Sequence, residues 1–309
     1  MDIIWNVTKR CGYKCSFCVS GGNNANKENE LSRDRLDILI RSLSTLYTDD
    51  IDISGGEPLL HPHISCIIET LNYNYGRKIV SLTSAGGYAA NLDEDYIRTN
   101  LYCYDFTYDY PHHLQSWHRD SSYNVNNILE ACRIMSLGIK VKAQVPLFKD
   151  NLDMKVMSLL LNQLKEKGIT KVQFIRLMPL GKQKLYNYPF DILNKEAIRE
   201  IYEYSLSIGM DAELHCSLKG VLDKPQYVCN MIKEKIGINH TGTVFSCPWA
   251  DHLNIDENPF KIGSLFDDNL DNIVSKNINS YKYNEDSCDL FNYILTVNDS
   301  PVKSDPLYS

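Results

Sequence analysis

Cys11, Cys15 and Cys18 stand in the run Cys-Gly-Tyr-Lys-Cys-Ser-Phe-Cys, a C-x3-C-x2-C spacing. The run follows the apolar segment Ile3-Ile4-Trp5-Asn6-Val7, whose residue types mark a strand. Three closely spaced thiolates on one loop can hold three irons of a four-iron cluster and leave the fourth open. An open coordination position marks a centre that does chemistry, by analogy with catalytic zinc sites. A zinc site is the alternative, although no fourth ligand lies nearby in the chain. A second run, Ser54-Gly55-Gly56-Glu57-Pro58, directly follows the strand-like Ile51-Asp52-Ile53. Alone it reads as a turn. Together, in this order and each behind a strand, the two runs read as two parts of one cofactor site.

The first run resembles the signature of the radical S-adenosylmethionine (SAM) superfamily, C-x3-C-x-aromatic-C, with Phe17 in the aromatic slot. Gly55-Gly56-Glu57-Pro58 resembles the motif of that family that receives the methionine amino group of SAM. The resemblance implies a [4Fe-4S] cluster on Cys11, Cys15 and Cys18 that binds SAM and delivers an electron to it. The products are methionine and a 5′-deoxyadenosyl radical, which takes a hydrogen atom from substrate. Thr107-Tyr108-Asp109 resembles the family's Ser-x-Asp, which makes Thr107 a contact to SAM or an ordinary strand threonine. Gln144 is either the amide that relatives use to hold SAM or a core glutamine. Leu177-Met178-Pro179-Leu180-Gly181 resembles a Pro-x-Gly turn in one branch of the family, with Met178 or Leu177 beside the adenine. Thr83-Ser84-Ala85-Gly86 occupies the place of a Thr-Asn-Gly and departs from it at Ser84-Ala85.

These residues need a scaffold, and periodicity supplies one. Strand-like and helix-like segments alternate over the first two thirds of the chain. Strands are expected at 51–54, 79–83, 102–108, 139–146 and 171–177, after the first at 3–7. Helices are expected over 32–47, 64–72, 92–99, 126–137, 152–167 and 195–208, the first capped by Ser32. Six strand–helix units imply a parallel sheet with right-handed crossovers. Periodicity alone allows a doubly wound sheet or a barrel. The motifs fall after successive strands, as in barrel enzymes, whose chemistry gathers at the C-terminal strand ends. The resemblance implies a partial (β/α)6 TIM-type barrel over residues 1–209. A small α+β unit over 210–292 and a C-terminal tail over 293–309 would follow.

The 309 residues are 43% hydrophobic, enough for a sizeable core, and the formal net charge is −7. No Lys/Arg run suggests a nucleic-acid partner. No apolar stretch is long enough to span a membrane, and the N-terminus lacks a basic flank with an apolar run. Ten cysteines without a secretory signal suit thiolate ligands in a reducing cytoplasm better than a disulfide framework. Cys66, Cys103 and Cys132 read as core thiols. His61, His63, His112, His113 and His118 gather near the expected barrel mouth as surface or capping residues.

The pattern changes after the barrel. Cys229 and Cys247 bracket a hairpin-like segment in a C-x12-G-x4-C spacing, with Gly242 at a turn position that needs a positive φ, and Cys288 follows. A strand at 262–265 and a short helix at 270–274 lie between. This resembles the start of the SPASM and Twitch domains, auxiliary-cluster modules appended to radical SAM barrels. The shorter Twitch form is the better match. The resemblance implies an auxiliary [4Fe-4S] cluster on Cys229, Cys247 and Cys288, with Cys216 or a substrate atom as the fourth ligand. Zinc or buried free thiols are the alternatives. The implied enzyme carries out an oxidative modification, such as a crosslink, of a ribosomally made peptide. Modification of a small molecule such as an amino sugar is the second expectation, and an iron–sulfur electron carrier or sensor is the non-enzyme one. A flavodoxin or ferredoxin would supply electrons. The chain starts close to its first strand, so no leader-recognition domain is expected, which favours a small-molecule substrate or a separate recognition protein.

Overall fold

The computed structural model describes residues 1–20, 30–85, 87–114, 118–181, 194–222, 229, 231–253, 255–280 and 287–308. Among them the expected alternation holds. β1 (Asp2–Thr8), α1 (Arg33–Leu43), β2 (Asp50–Gly55), α2 (Ile64–Tyr75), β3 (Val80–Ser84) and α3 (Glu94–Asn100) come first. β4 (Leu101–Thr107), α4 (Tyr123–Ser136), β5 (Lys140–Leu147), α5 (Met154–Glu166), β6 (Lys171–Arg176) and α6 (Lys195–Ser207) complete six units. β1 to β6 pair in chain order and in parallel, giving the α/β partial barrel expected. Gly86 lies outside the described residues.

Among the described residues, four further strands extend this sheet beyond the six expected. β7 (Asp211–Leu214) pairs parallel to β6. β8 (Lys235–Ile238) pairs parallel to β1, and then antiparallel to β9 (Thr243–Phe245), which pairs with β10 (Lys261–Ser264). The hairpin turns at Gly242, φ +80°. The expected auxiliary unit thus extends the barrel sheet. α7 (Leu270–Ile278) and α8 (Asp289–Val297) follow, and α8 crosses residue 292. Beyond it Asp305 and Leu307 are fully buried.

Strand alternation divides the sheet's two faces. Ile3, Trp5 and Val7 of β1 and Ile51 and Ile53 of β2 are buried in one core with Leu36, Leu39 and Ile40 of α1 and Ile67 and Leu71 of α2. Their neighbours Asn6, Asp50, Asp52 and Ser54 line a cavity on the other face. The apolar side of each strand holds the helices on, and the polar side is left for chemistry.

Candidate active site

The cavity has a volume of about 460 Å³ and is lined by Cys11, Cys15 and Cys18. The three thiols are close enough for Cys15 and Cys18 to act on the charge of Cys11. Burial pushes the Cys11 thiol up to about 11. A cation at this point would displace the thiol protons, as metals do when they bind cysteine. Phe17 lines the same cavity and packs on Phe148 with ring centroids 4.9 Å apart. This donor set fits a cluster held at three corners.

Gly55, Gly56 and Glu57 line the cavity beside the thiols. Gly56 donates its N–H to the Thr8 carbonyl at 2.8 Å, and Glu57 donates to Arg10 at 2.7 Å. A Cβ on Gly56 would sit 2.2 Å from the Arg10 carbonyl oxygen, so only glycine lets the two loops meet. The Glu57 carboxylate accepts from Ser84 Oγ at 2.8 Å, Ala85 N at 3.0 Å and Leu59 N at 3.1 Å. Ser84 and Ala85, where the chain departs from Thr-Asn-Gly, are thus partners of Glu57. Burial raises the Glu57 carboxyl to about 7 against these three hydrogen bonds.

Thr107 and Gln144, adjacent across β4 and β5, both line the cavity. Gln144 Nε2 donates to Asp105 Oδ2 at 3.3 Å. Leu177 lines this cavity, whereas Met178, expected beside the cofactor, lines a second one. Gly181, with φ +60°, would bring a Cβ within 2.2 Å of the Val19 carbonyl oxygen and 2.5 Å of that of Cys18. The Pro-x-Gly turn therefore braces the cysteine loop from the end of β6.

Cys216, Cys229, Cys247 and Cys288 line the second cavity, of about 520 Å³. Each of the other three acts on the charge of Cys247, and burial holds that thiol well above its ordinary value. Cys216 carries a positive φ of 45°. Beside it Arg176 forms a buried two-pronged ion pair with Asp305, at 2.7 and 2.9 Å, and stacks on Phe291 at 3.8 Å. Arg176, His215 and Trp249 line both cavities, so the two cavities adjoin along a shared wall. Trp249 donates its backbone N–H to Cys247, and its side chain bonds Cys216.

The profile described as Radical SAM superfamily matches residues 5–161. The chain belongs to that superfamily. As a radical SAM enzyme it has a family-wide requirement for SAM and a [4Fe-4S] cluster, which the Cys11–Cys18 loop fits. A GTP 3′,8-cyclase from Mannheimia succiniciproducens is 26% identical over 204 residues, 63% of this chain and 60% of the cyclase. A probable GTP 3′,8-cyclase from Methanothermobacter thermautotrophicus is 36% identical over 98 residues, 30% of this chain and 32% of that one. The chain thus spans less than two thirds of these relatives. Among solved structures, Streptococcus suis SuiB bound to its precursor peptide SuiA superposes with a TM-score of 0.70 at 16% identity, covering 100% of this chain and 75% of SuiB. Native anSMEcpe with bound AdoMet gives 0.65 at 16% identity, covering 94% of this chain and 86% of that one. At such identities the likeness is one of fold.

Sequence reading missed Arg119. Its Nη1 donates to Cys15 Sγ at 3.1 Å and its Nε to Asp109 Oδ2 at 2.7 Å, and it stacks on Phe17 at 4.6 Å and Tyr123 at 4.0 Å. No short motif marks it, because 104 residues separate it from Cys15. Of the five histidines expected near the mouth, His112 bonds Tyr108, His113 bonds Gln163 and His118 bonds Ser16. Among the described residues, the histidines lining the cavity are His215 and His252. Cys66, Cys103 and Cys132, expected in the core, are only half-buried. Cys103 faces inward on β4 and donates to Asp105 at 3.3 Å.

Proposed function

We propose that this radical SAM enzyme oxidises a substrate held in the 460 Å³ cavity, and that Cys216, Cys229, Cys247 and Cys288 would hold an auxiliary [4Fe-4S] cluster able to accept an electron. Bound SAM supplies the 5′-deoxyadenosyl radical that removes a hydrogen atom. Loss of one further electron and one proton from substrate completes a two-electron oxidation. The observation that carries this reading is the shared wall: Trp249 faces the substrate space on one side and bonds two of the four thiols on the other.

The residues of this chain divide the work. Gly55 and Gly56 let their loop close on the backbone of Thr8 and Arg10 beside the thiols, and Thr107 and Gln144 line the wall that would orient the cofactor. Met178 lies toward the auxiliary side. Arg119, a cation against Cys15 and on the cavity wall, would offset the negative charge of a thiolate-held cluster. The four later thiols line one cavity, and four thiolates are the ligand set of a [4Fe-4S] cluster.

A ribosomally made peptide is the substrate we favour, because the fold matches SuiB over the whole chain and SuiB was solved with its precursor peptide. A small molecule is the second reading, favoured by sequence relatives named as GTP 3′,8-cyclases. Anaerobic reconstitution, iron counting and a 5′-deoxyadenosine assay test the chemistry. About eight irons per chain with nucleoside formation fits two four-iron clusters. About four irons with nucleoside formation removes the auxiliary cluster from the proposal. Product analysis with a precursor peptide encoded beside this chain decides between the substrates.

A further inference from the structure

The wall of the substrate cavity carries more acid than its own cations neutralise. On that wall Lys142 is paired with Asp105 at 2.6 Å. Lys171 is paired with Glu213 at 3.1 Å, and Lys235 with Asp2 at 3.8 Å. Arg176 is committed to Asp305. Asp105 is further satisfied by Gln144 and Cys103. Arg119 is paired with Asp109, and Glu57 is held by three hydrogen bonds, so that Asp50 and Asp52, on successive inward positions of β2, remain. Among the described residues each receives one hydroxyl hydrogen bond of 2.7 Å, from Ser81 and from Thr83, and the cation that acts on both, Lys142, is the one already paired with Asp105.

Asp52 is the sharper case. Only its Oδ1 is bonded, to Thr83. Part of its surface opens on the cavity, and protein surrounds the rest. A carboxylate so enclosed is costly without a counter-charge. Burial, with Asp105 as a like-charged neighbour, holds Asp52 up to about 7, and Asp50 is raised as well. Asp52 also lies three residues before Gly55 on one strand, so at about 3.3 Å per residue it sits roughly 10 Å from the cofactor loop. A substrate reaching from the loop into the cavity would meet it.

We propose that Asp50 and Asp52 form a subsite for a cationic nitrogen of the substrate, an ammonium or guanidinium group. The proposal rests on the reading of this cavity as the substrate cavity. The bound cation supplies the charge that the wall lacks, and the Ser81 and Thr83 hydroxyls hold the two carboxylates toward it. The group comes either from a lysine or arginine side chain of a peptide or from the amine of a small molecule.

The test is anaerobic calorimetry on the reconstituted holoenzyme with SAM present, in two arms. The peptide arm compares Ac-Gly-Lys-Gly-NH2 and Ac-Gly-Arg-Gly-NH2 with the norleucine analogue. The small-molecule arm compares 2-aminocyclohexanol with 1,2-cyclohexanediol. Binding of the cationic probe tighter than its neutral analogue by about tenfold or more is expected in one arm, and names the source. That preference disappears in Asp52→Asn and weakens in Asp50→Asn, with iron content and far-UV circular dichroism establishing that the variants fold. Equal binding of cationic and neutral probes in both arms, or binding of neither, overturns the subsite. The wild-type comparison needs no variant. A failure of the radical SAM chemistry itself appears separately, as absence of 5′-deoxyadenosine from the same preparation.

Discussion

Arg119 and Cys15 are joined by a hydrogen bond from guanidinium to sulfur at 3.1 Å, which puts a buried cation against one ligand of the first cluster site. Hydrogen bonds and charge near the sulfurs set the potential of an iron–sulfur cluster. Arg119→Gln therefore shifts the SAM-binding cluster to a more negative potential in a redox titration followed by electron paramagnetic resonance. A charged hydrogen bond is worth about 1.5–3 kcal/mol. A loss of that size weakens SAM binding by roughly tenfold to a hundredfold. Unchanged potential and unchanged SAM affinity would remove Arg119 from the site.

Gly181 tests the brace between β6 and the cysteine loop. A methyl group there meets two backbone carbonyls, and the φ of +60° disfavours any side chain. Gly181→Ala costs roughly 1–3 kcal/mol of stability, the range of strain at a special backbone position. The loss shows as a lower urea midpoint, and iron retained at the first site falls with it. Gly209, with φ +79° and open space around it, is the control for backbone conformation alone. Gly209→Ala costs less.

The two thiol sets separate by substitution. Cys247→Ala lowers iron from about eight to about four per chain and leaves 5′-deoxyadenosine formation in place, now uncoupled from product. Cys15→Ala abolishes the nucleoside and keeps the second cluster. If Cys247→Ala keeps its full iron, the auxiliary assignment fails.

Glu57 gives a dependence on pH with a defined sign. Its folded value is raised from 4.5 to about 7, chiefly by burial. The folded apo-protein therefore binds this proton more tightly than the unfolded chain does. Its contribution is fully present below about 4.5 and is lost as pH rises to about 7. The size is on the order of 3 kcal/mol. Urea unfolding of Glu57→Gln across that window should show a shallower loss than wild type. Parallel pH profiles would refute the assignment.

Much of this could be read in the chain. The C-x3-C-x2-C run and Gly55-Gly56-Glu57 each follow a strand of alternating residues, and local spacing carried both the motif and its position. Gly242 announced its turn. What stayed hidden is what folding brings together. Arg119 meets Cys15, and Arg176 meets Asp305 across 129 residues. β7 is four residues long, too short for a period to declare itself. The polar face of the strands was visible as alternation, but its surplus of acid emerges only when each lysine is matched with its carboxylate.

β8 lies against β1, with Lys235 opposite Asp2 and Ile238 opposite Trp5. β1 thus receives its second neighbour more than two hundred residues later in synthesis. At about 5–20 residues per second that interval is roughly ten to fifty seconds. Through it, β1 presents an unpaired edge, with the first thiol loop at its end. A chain stopped before residue 235 keeps that edge open to other chains, so nascent and truncated forms of this protein are the ones that need a chaperone.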